Sequence, residues 1–269
     1  MPADPPVHVT IWSDIACPFC NVARERATWL RARGAVVEWL PYDLHPEYLS
    51  TKYAQELAEA GMPAIGVQHH HAHVASCLAD NERPSEEPVI GVALDGTGYG
   101  TDGAVWGGEF FVGSVAGGFI RRAHLEYAPL PGGSAAIKQP WRMALAQLIT
   151  LYGEEATLGL PLRAVREAGE RSVRLVARLV EHSLNTPPTS SAGRLFDAVA
   201  ALVGVPGSGR ATYEGQAAIE LELAAGGPTD QVYPFRLRLG NDGLVIETRH
   251  MIGGIVEDLL DSRPASEVS

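Results

Sequence analysis

The chain has 269 residues, 46% of them hydrophobic, enough for one large or two small domains with a real core. Its formal net charge of -11 argues against a nucleic-acid partner, which needs clustered Lys and Arg. No apolar run approaches the roughly 18 residues of a membrane span. The opening Met1-Pro2-Ala3-Asp4-Pro5-Pro6 has neither the basic nor the apolar region of a secretory signal. A cytoplasmic protein without a membrane partner is expected.

In chain order, Val7–Trp12 alternates as a strand, Asn21–Arg33 has helical spacing ended by Gly34, and Ala35–Leu40 is a second strand. This predicts a βαβ unit with Cys17-Pro18-Phe19-Cys20 at its strand-to-helix turn. Three cysteines are an odd number, so this pair is a local redox or metal motif and no disulfide framework. Leu49–Ala60 is a helix stopped by Gly61, and Ala64–Val67 is a short strand. From Val89 the period becomes two, giving strands at Val89–Leu94, Ala104–Phe111 and Ser114–Glu126 joined by glycine turns. After Pro140 the pattern is helical, at Trp141–Tyr152, Ser172–His182, Ala192–Val203 and Gln216–Ala225. Gln231–Leu239 and Leu244–Glu247 flank Gly240-Asn241-Asp242-Gly243 as a hairpin. An amphipathic segment, Met251–Leu260, precedes the polar tail Ser262–Ser269.

The most informative segment is His69-His70-His71-Ala72-His73, four imidazoles in five residues. On a helix, His69 and His73 share a face, and they are the only pair in the cluster at that spacing. Two such imidazoles can share a divalent metal, with a carboxylate from a strand end as a third corner. Asp95 ends the apolar run Val89–Leu94 and opens the glycine-rich Asp95-Gly96-Thr97-Gly98-Tyr99-Gly100, so it is the candidate. The alternative is a polar helix start capped near Gln68 with solvated histidines. Asp197, early in an apolar helix, reads either as a complement to the helix dipole or as a ligand contact. Gly215 opens the next helix, and helix N-termini attract anions.

Tyr42-Asp43-Leu44-His45-Pro46-Glu47, the histidine cluster, Val92–Gly108, Ala135–Ala144 and the segments around Asp197 and Gly215 occur in the order and spacing of one family. From about Asp43 to Leu260 the chain resembles the transferase domain of HypF, the carbamoyltransferase of [NiFe]-hydrogenase maturation, itself similar to TsaD. The resemblance implies an α/β fold of the two-lobed actin-like (ASKHA) type with RNase H-like sheets. It implies His69, His73 and Asp95 as ligands of a transition metal, Zn or Fe, with Asp95 at the catalytic centre. Asp95, Gly96, Gly98 and Gly100 would cradle carbamoyl and phosphate groups through backbone N–H donors. Asp197 and Gly215 would contact the adenosine of ATP or carbamoyl-adenylate. The implied partner is a HypE-like maturation protein whose C-terminal cysteine receives the carbamoyl group.

The family's upstream acylphosphatase-like, zinc-finger and YrdC-like modules have no counterpart here, so the chain is expected to use carbamoyl-adenylate rather than make it. Its late Gly-Gly-Val-Phe-Gln-Asn and terminal Asn-Asp-Gly-Gly segments, the latter with the last metal ligand, also have none. Asn241-Asp242-Gly243 sits too early and reads as a turn. The transferase fold is therefore expected to be incomplete. The apolar faces of Ser172–His182 and Ala192–Val203 should lack partners, and the stable core should lie only between about Val67 and Glu126. Residues 7–41 resemble instead the start of DsbA-like thioredoxin-fold proteins of the FrnE type, which implies Cys17 as attacking thiolate and Cys20 as resolving thiol. The expected organisation is a thioredoxin-like βαβ fragment at 1–43, the HypF-like domain at 44–261 and a tail at 262–269. Two rival functions stay open, a thiol-disulfide oxidoreductase through Cys17 and Cys20, and a non-catalytic metal- or nucleotide-binding remnant.

Overall fold

In the computed structural model of the chain the described residues are 8–14, 36–42, 67–205, 209–213, 215–226 and 232–268. They fall into two units, Met1–Val67 and Gln68–Ser269. In the first, β1 (His8–Asp14) and β2 (Val36–Tyr42) pair in parallel, in register from His8↔Val36 to Asp14↔Tyr42. Parallel neighbours need a crossover connection, as the βαβ expectation requires. The expected helices Asn21–Arg33 and Leu49–Ala60, and both Cys17 and Cys20, lie outside the described residues.

The second unit opens with α1 (His69–Asp80), whose first turn is capped by the Gln68 side chain accepting from the His71 N–H at 2.9 Å. Three antiparallel strands follow, β3 (Val89–Tyr99), β4 (Val105–Ser114) and β5 (Gly118–Leu125). The short β6 (Ala128–Pro129) and β7 (Pro188–Thr189) extend the sheet past β4. On the other side β9 (Gly243–Glu247) pairs in parallel with β5 and carries β8 (Arg236–Gly240) antiparallel. The result is one mixed seven-stranded sheet, ordered β6-β7-β4-β5-β9-β8 with β3 on β4. Asn241-Asp242 is the two-residue hairpin turn between β8 and β9, as read from the sequence.

The helical layer comprises α2 (Ser134–Lys138), α3 (Trp141–Tyr152), α4 (Glu154–Gly159), α5 (Arg163–Glu181), α6 (Ala192–Val203), α7 (Gln216–Ala224), α8 (Arg249–Leu260) and α9 (Ala265–Val268). Here the expected core is overturned. The largest apolar cluster is interhelical, with Leu145 and Leu148 of α3, Val173 and Val176 of α5, Leu202 of α6 and Ile252 and Ile255 of α8. The helices expected to lack partners pack on α3 and on one another, because the stripe of each meets another helix instead of a missing sheet. A smaller cluster, Val74, Ala93, Trp106 and Phe111, lies between α1 and the sheet. Within the expected tail Ala265–Val268 form α9, Val268 is buried and Gly226 N–H donates to Ser266 O at 2.8 Å.

Two expected boundaries also move. α5 is two helices joined at a kink, because Gly169, at φ 75 and ψ 159, leaves the helical conformation; the second of them is the helix expected at Ser172–His182, with a further helix before it. The glycine turn expected at Asp95–Gly100 is mostly strand. Pairing stops at Leu94↔Gly108 and resumes at Gly98↔Trp106, so β3 carries two surplus residues that bulge at Asp95–Thr97.

Candidate metal centre

The bulge makes the site. In a regular ladder Asp95 would continue the inward face that Gly91 and Ala93 present to α1, where the Val74 methyls lie 2.7 and 2.8 Å from the position of a Cβ on Gly91. Asp95 opens the bulge and sets its carboxylate against the first turn of α1. Its Oδ1 accepts the N–H of Gly96 at 2.6 Å, leaving Oδ2 to the imidazoles. His69 Nε2 lies 2.7 Å from Oδ2 and His73 Nε2 lies 3.3 Å from it, while the two Nε2 atoms are 2.9 Å apart. Burial alone would raise the Asp95 carboxyl, but hydrogen bonds from His69 and His73 more than offset that and hold it well below the usual carboxylate range.

This triangle has the dimensions of a ligand set. Metal–nitrogen bonds of about 2.0–2.1 Å place tetrahedral donors ~3.3 Å apart, so a small outward movement would admit an ion. Both Nε2 atoms and Asp95 Oδ2 converge within 3.3 Å of one another, a crowding of donor atoms that a divalent cation between them would relieve. Two neutral imidazoles and one carboxylate suit Zn or Fe.

The four histidines divide by role. His71 turns to the core, edge-on to Phe111 with centroids 4.8 Å apart, and burial lowers its pKa. His70 was not among the ligands expected from sequence, yet it is fully buried with Nε2 3.7 Å from Asp95 Oδ2. His69, His70 and Asp95 also form a donor group with all three atoms within 4.8 Å. Burial, then the neighbouring His69, push the His70 pKa down to about 3 against the pull of Asp95, so the ring is neutral.

The glycines are explained by close approach. A Cβ on Gly98 would lie 2.4 Å from His70 Cε1 and 2.6 Å from His69 Cδ2, and one on Gly100 would lie 2.2 Å from Trp106 Nε1. Behind the bulge, the N-cap of α6 holds the strand. Ser191 Oγ lies 2.7 Å from both Asp95 O and Gly96 O as donor and accepts from Arg194 N–H at 3.1 Å. Next to it Ser190 Oγ donates to Glu109, which is fully buried and also accepts from Gly107 N, Gly108 N and, at 2.6 Å, Arg121 Nε. Gly193 sits so close that a Cβ there would meet Gly96 Cα at 2.8 Å. Sequence reasoning missed Ser191, Glu109 and Gly193; the Ser190-Ser191-Ala192-Gly193 run before an apolar helix was the available cap signal.

Asp197 and Gly215 belong to the helical layer. The Asp197 carboxylate is buried on α6, its Oδ2 3.0 Å from Arg194 Nη1, and burial raises its pKa to about 6 against that guanidinium. Gly215, at φ 76, caps α7, which packs on α6.

The model described as carbamoyltransferase, Kae1-like domain, second subdomain matches residues 91–269, and the HypF Kae1-like domain matches residues 19–80. The chain is 43% identical over 221 residues to the carbamoyltransferase HypF homolog of Cupriavidus necator, covering 82% of this chain and 54% of that protein. It superposes on the crystal structure of full-length HypF in its phosphate- and nucleotide-bound form with a TM-score of 0.73 at 37% identity, covering 93% of this chain and 31% of that one. For T. kodakarensis HypF the TM-score is 0.65 at 30% identity, with 92% and 32% covered. The chain belongs to the HypF family of carbamoyltransferases, and it spans about half or less of the length of these relatives. The fold is the expected α/β one. None of these comparisons supports the thioredoxin-like resemblance of residues 7–41: the HypF match already begins at residue 19, and a parallel strand pair occurs in many α/β folds. Among the described residues no helix is long and apolar enough to cross a membrane.

Proposed function

We propose that this chain carries the acceptor-side step of HypF-type carbamoyl transfer, at a single Zn or Fe held by His69, His73 and Asp95. The substrate is carbamoyl-adenylate, and the acceptor is the C-terminal cysteine of a HypE-like maturation protein. The thiolate sulfur bonds to the carbamoyl carbon as the mixed-anhydride C–O bond breaks, and AMP leaves with the electron pair. His69, His73 and Asp95 would hold the divalent ion, which when bound would supply Lewis-acid polarisation of the carbamoyl group. The chain's own contribution is positional. Gly96 N–H fixes one carboxylate oxygen of Asp95, the α1 turn fixes both imidazoles, and Ser191 locks the strand that carries Asp95. In this reading the Asp95–Gly100 backbone approaches the phosphate, and Asp197 and Gly215 lie on the adenosine side.

The observation that carries the reading is the meeting of His69 Nε2, His73 Nε2 and Asp95 Oδ2 within 3.3 Å of one another. Membership of the HypF family supports the reaction class. The test is the Zn and Fe content of the purified chain beside His73→Ala, followed by carbamoyl transfer from carbamoyl-adenylate to a cysteine-ended peptide. Ion should be retained by the parent and lost by the variant. Equal content in the two would refute the assignment.

A further inference from the structure

Two imidazoles compete for one place beside His69 and Asp95. His73 Nε2 lies 3.3 Å and His70 Nε2 lies 3.7 Å from the same carboxylate oxygen. Distance does not separate them, but the hydrogen-bond chain behind His70 does. The His71 backbone N–H can only donate, so the Gln68 oxygen it reaches at 2.9 Å is the carbonyl Oε1. The amide NH2 therefore points the other way. One of its hydrogens goes to Tyr99 O at 3.1 Å, and the other to His70 Nδ1 at 3.0 Å. His70 Nδ1 must accept, which places the proton of the neutral ring on Nε2.

A protonated Nε2 has no lone pair for a metal. It is a donor aimed at Asp95, and it is sealed from solvent without any hydrogen-bond partner of its own. We propose that His70 is not a ligand of the centre but its positioning residue, whose Nε2–H closes on Asp95 Oδ2 and holds the carboxylate for the ion bound by His69 and His73. The closure is short, from 3.7 Å to the ~2.9 Å of an N–H···O bond. It becomes available when an ion takes over the Nε2 atoms that now crowd Oδ2. Gly96 N–H on Oδ1 and His70 N–H on Oδ2 would then fix the carboxylate plane from both sides. Gly98 leaves the room, since a Cβ there would lie 2.9 Å from His70 Nε2. Outer donors of this kind are worth about 10–100-fold in metal affinity.

The inference rests on the metal-site reading above, and one arm of its test needs no metal. Long-range proton–nitrogen NMR on the metal-free full chain should show His70 protonated at Nε2 and bare at Nδ1; the opposite tautomer overturns the proposal whether or not an ion binds. In the second arm, Co(II) is titrated into the parent, His70→Gln, His70→Phe and Gln68→Glu. His70→Phe should bind about 10–100-fold more weakly, while His70→Gln, which keeps an N–H donor, should recover most of the affinity. Gln68→Glu replaces the amide donor with an acceptor, moves the proton to Nδ1 and turns a lone pair toward the ion, so the Co(II) visible spectrum should change. Unchanged affinity in His70→Phe, or a parent spectrum in Gln68→Glu, would refute the role. A parent chain that takes up no ion while His70 shows the expected tautomer would refute the metal-site reading, and the positioning role with it.

Discussion

Replacing Gly98 by alanine tests the packing that brings β3 against the histidines. The added methyl would lie 2.4 Å from His70 Cε1, 2.6 Å from His69 Cδ2 and 2.9 Å from His70 Nε2. Carbon contacts settle at about 3.5–4.0 Å, so the rings or the strand must retreat by roughly 1 Å. The His69 side chain is 29% exposed and can swing outward, whereas His70 is 0% exposed and has nowhere to go. Overpacking of this kind costs about 1–3 kcal/mol, less about 0.4–1 kcal/mol gained because alanine restricts the unfolded chain. A net loss of roughly 1–2 kcal/mol lowers the melting temperature by about 2–8 °C in a domain of this size. The control is Gly96→Ala, two residues away in the same strand, where the nearest atom, Arg194 Nη2, would be an ordinary 3.6 Å neighbour. Paired thermal melts and chelator competition read both effects. Gly98→Ala should melt lower and release its ion at lower chelator, and Gly96→Ala should follow the parent in both. If Gly98→Ala melts with Gly96→Ala, the account of this glycine is wrong.

Asp197→Asn should flatten part of the stability–pH profile. The folded carboxyl titrates at about 6, above its ordinary 3.8, so between those values the folded state holds the extra proton and stability falls as pH rises. At 1.36 kcal/mol per pH unit the effect is bounded at roughly 3 kcal/mol, and urea melts at pH 4 and 7 should show a smaller difference in the variant than in the parent; an equal difference in both would refute it. Glu109→Gln should cost roughly 3 kcal/mol in urea melts, because it leaves the Arg121 guanidinium, stacked 4.0 Å over Trp106, without its buried counter-charge. A loss below about 0.5 kcal/mol would show that Asp102 and Tyr127 already satisfy Arg121.

Much of this protein was legible in its sequence because it follows from local periodicity. The 3.6-residue stripe gave the bounds of Trp141–Tyr152 and Ala192–Val203 as they stand in the structure, and the four-residue spacing of His69 and His73 placed both rings on one helical face. Asp95 was found because it ends an apolar run, a one-dimensional signal. Tertiary structure decided the rest, because the deciding terms act between residues far apart in the chain. The two surplus residues of β3 are defined only by their pairing with β4, so the apparent glycine turn became a bulge. The helices expected to lack partners found them in one another, since an apolar stripe records that it must be covered but not by what. His70 is identical in type to its neighbours in the cluster. Its role rests on Gln68 spanning from His71 N–H to Tyr99 O, 31 residues away, and on the burial that keeps water from its Nε2–H.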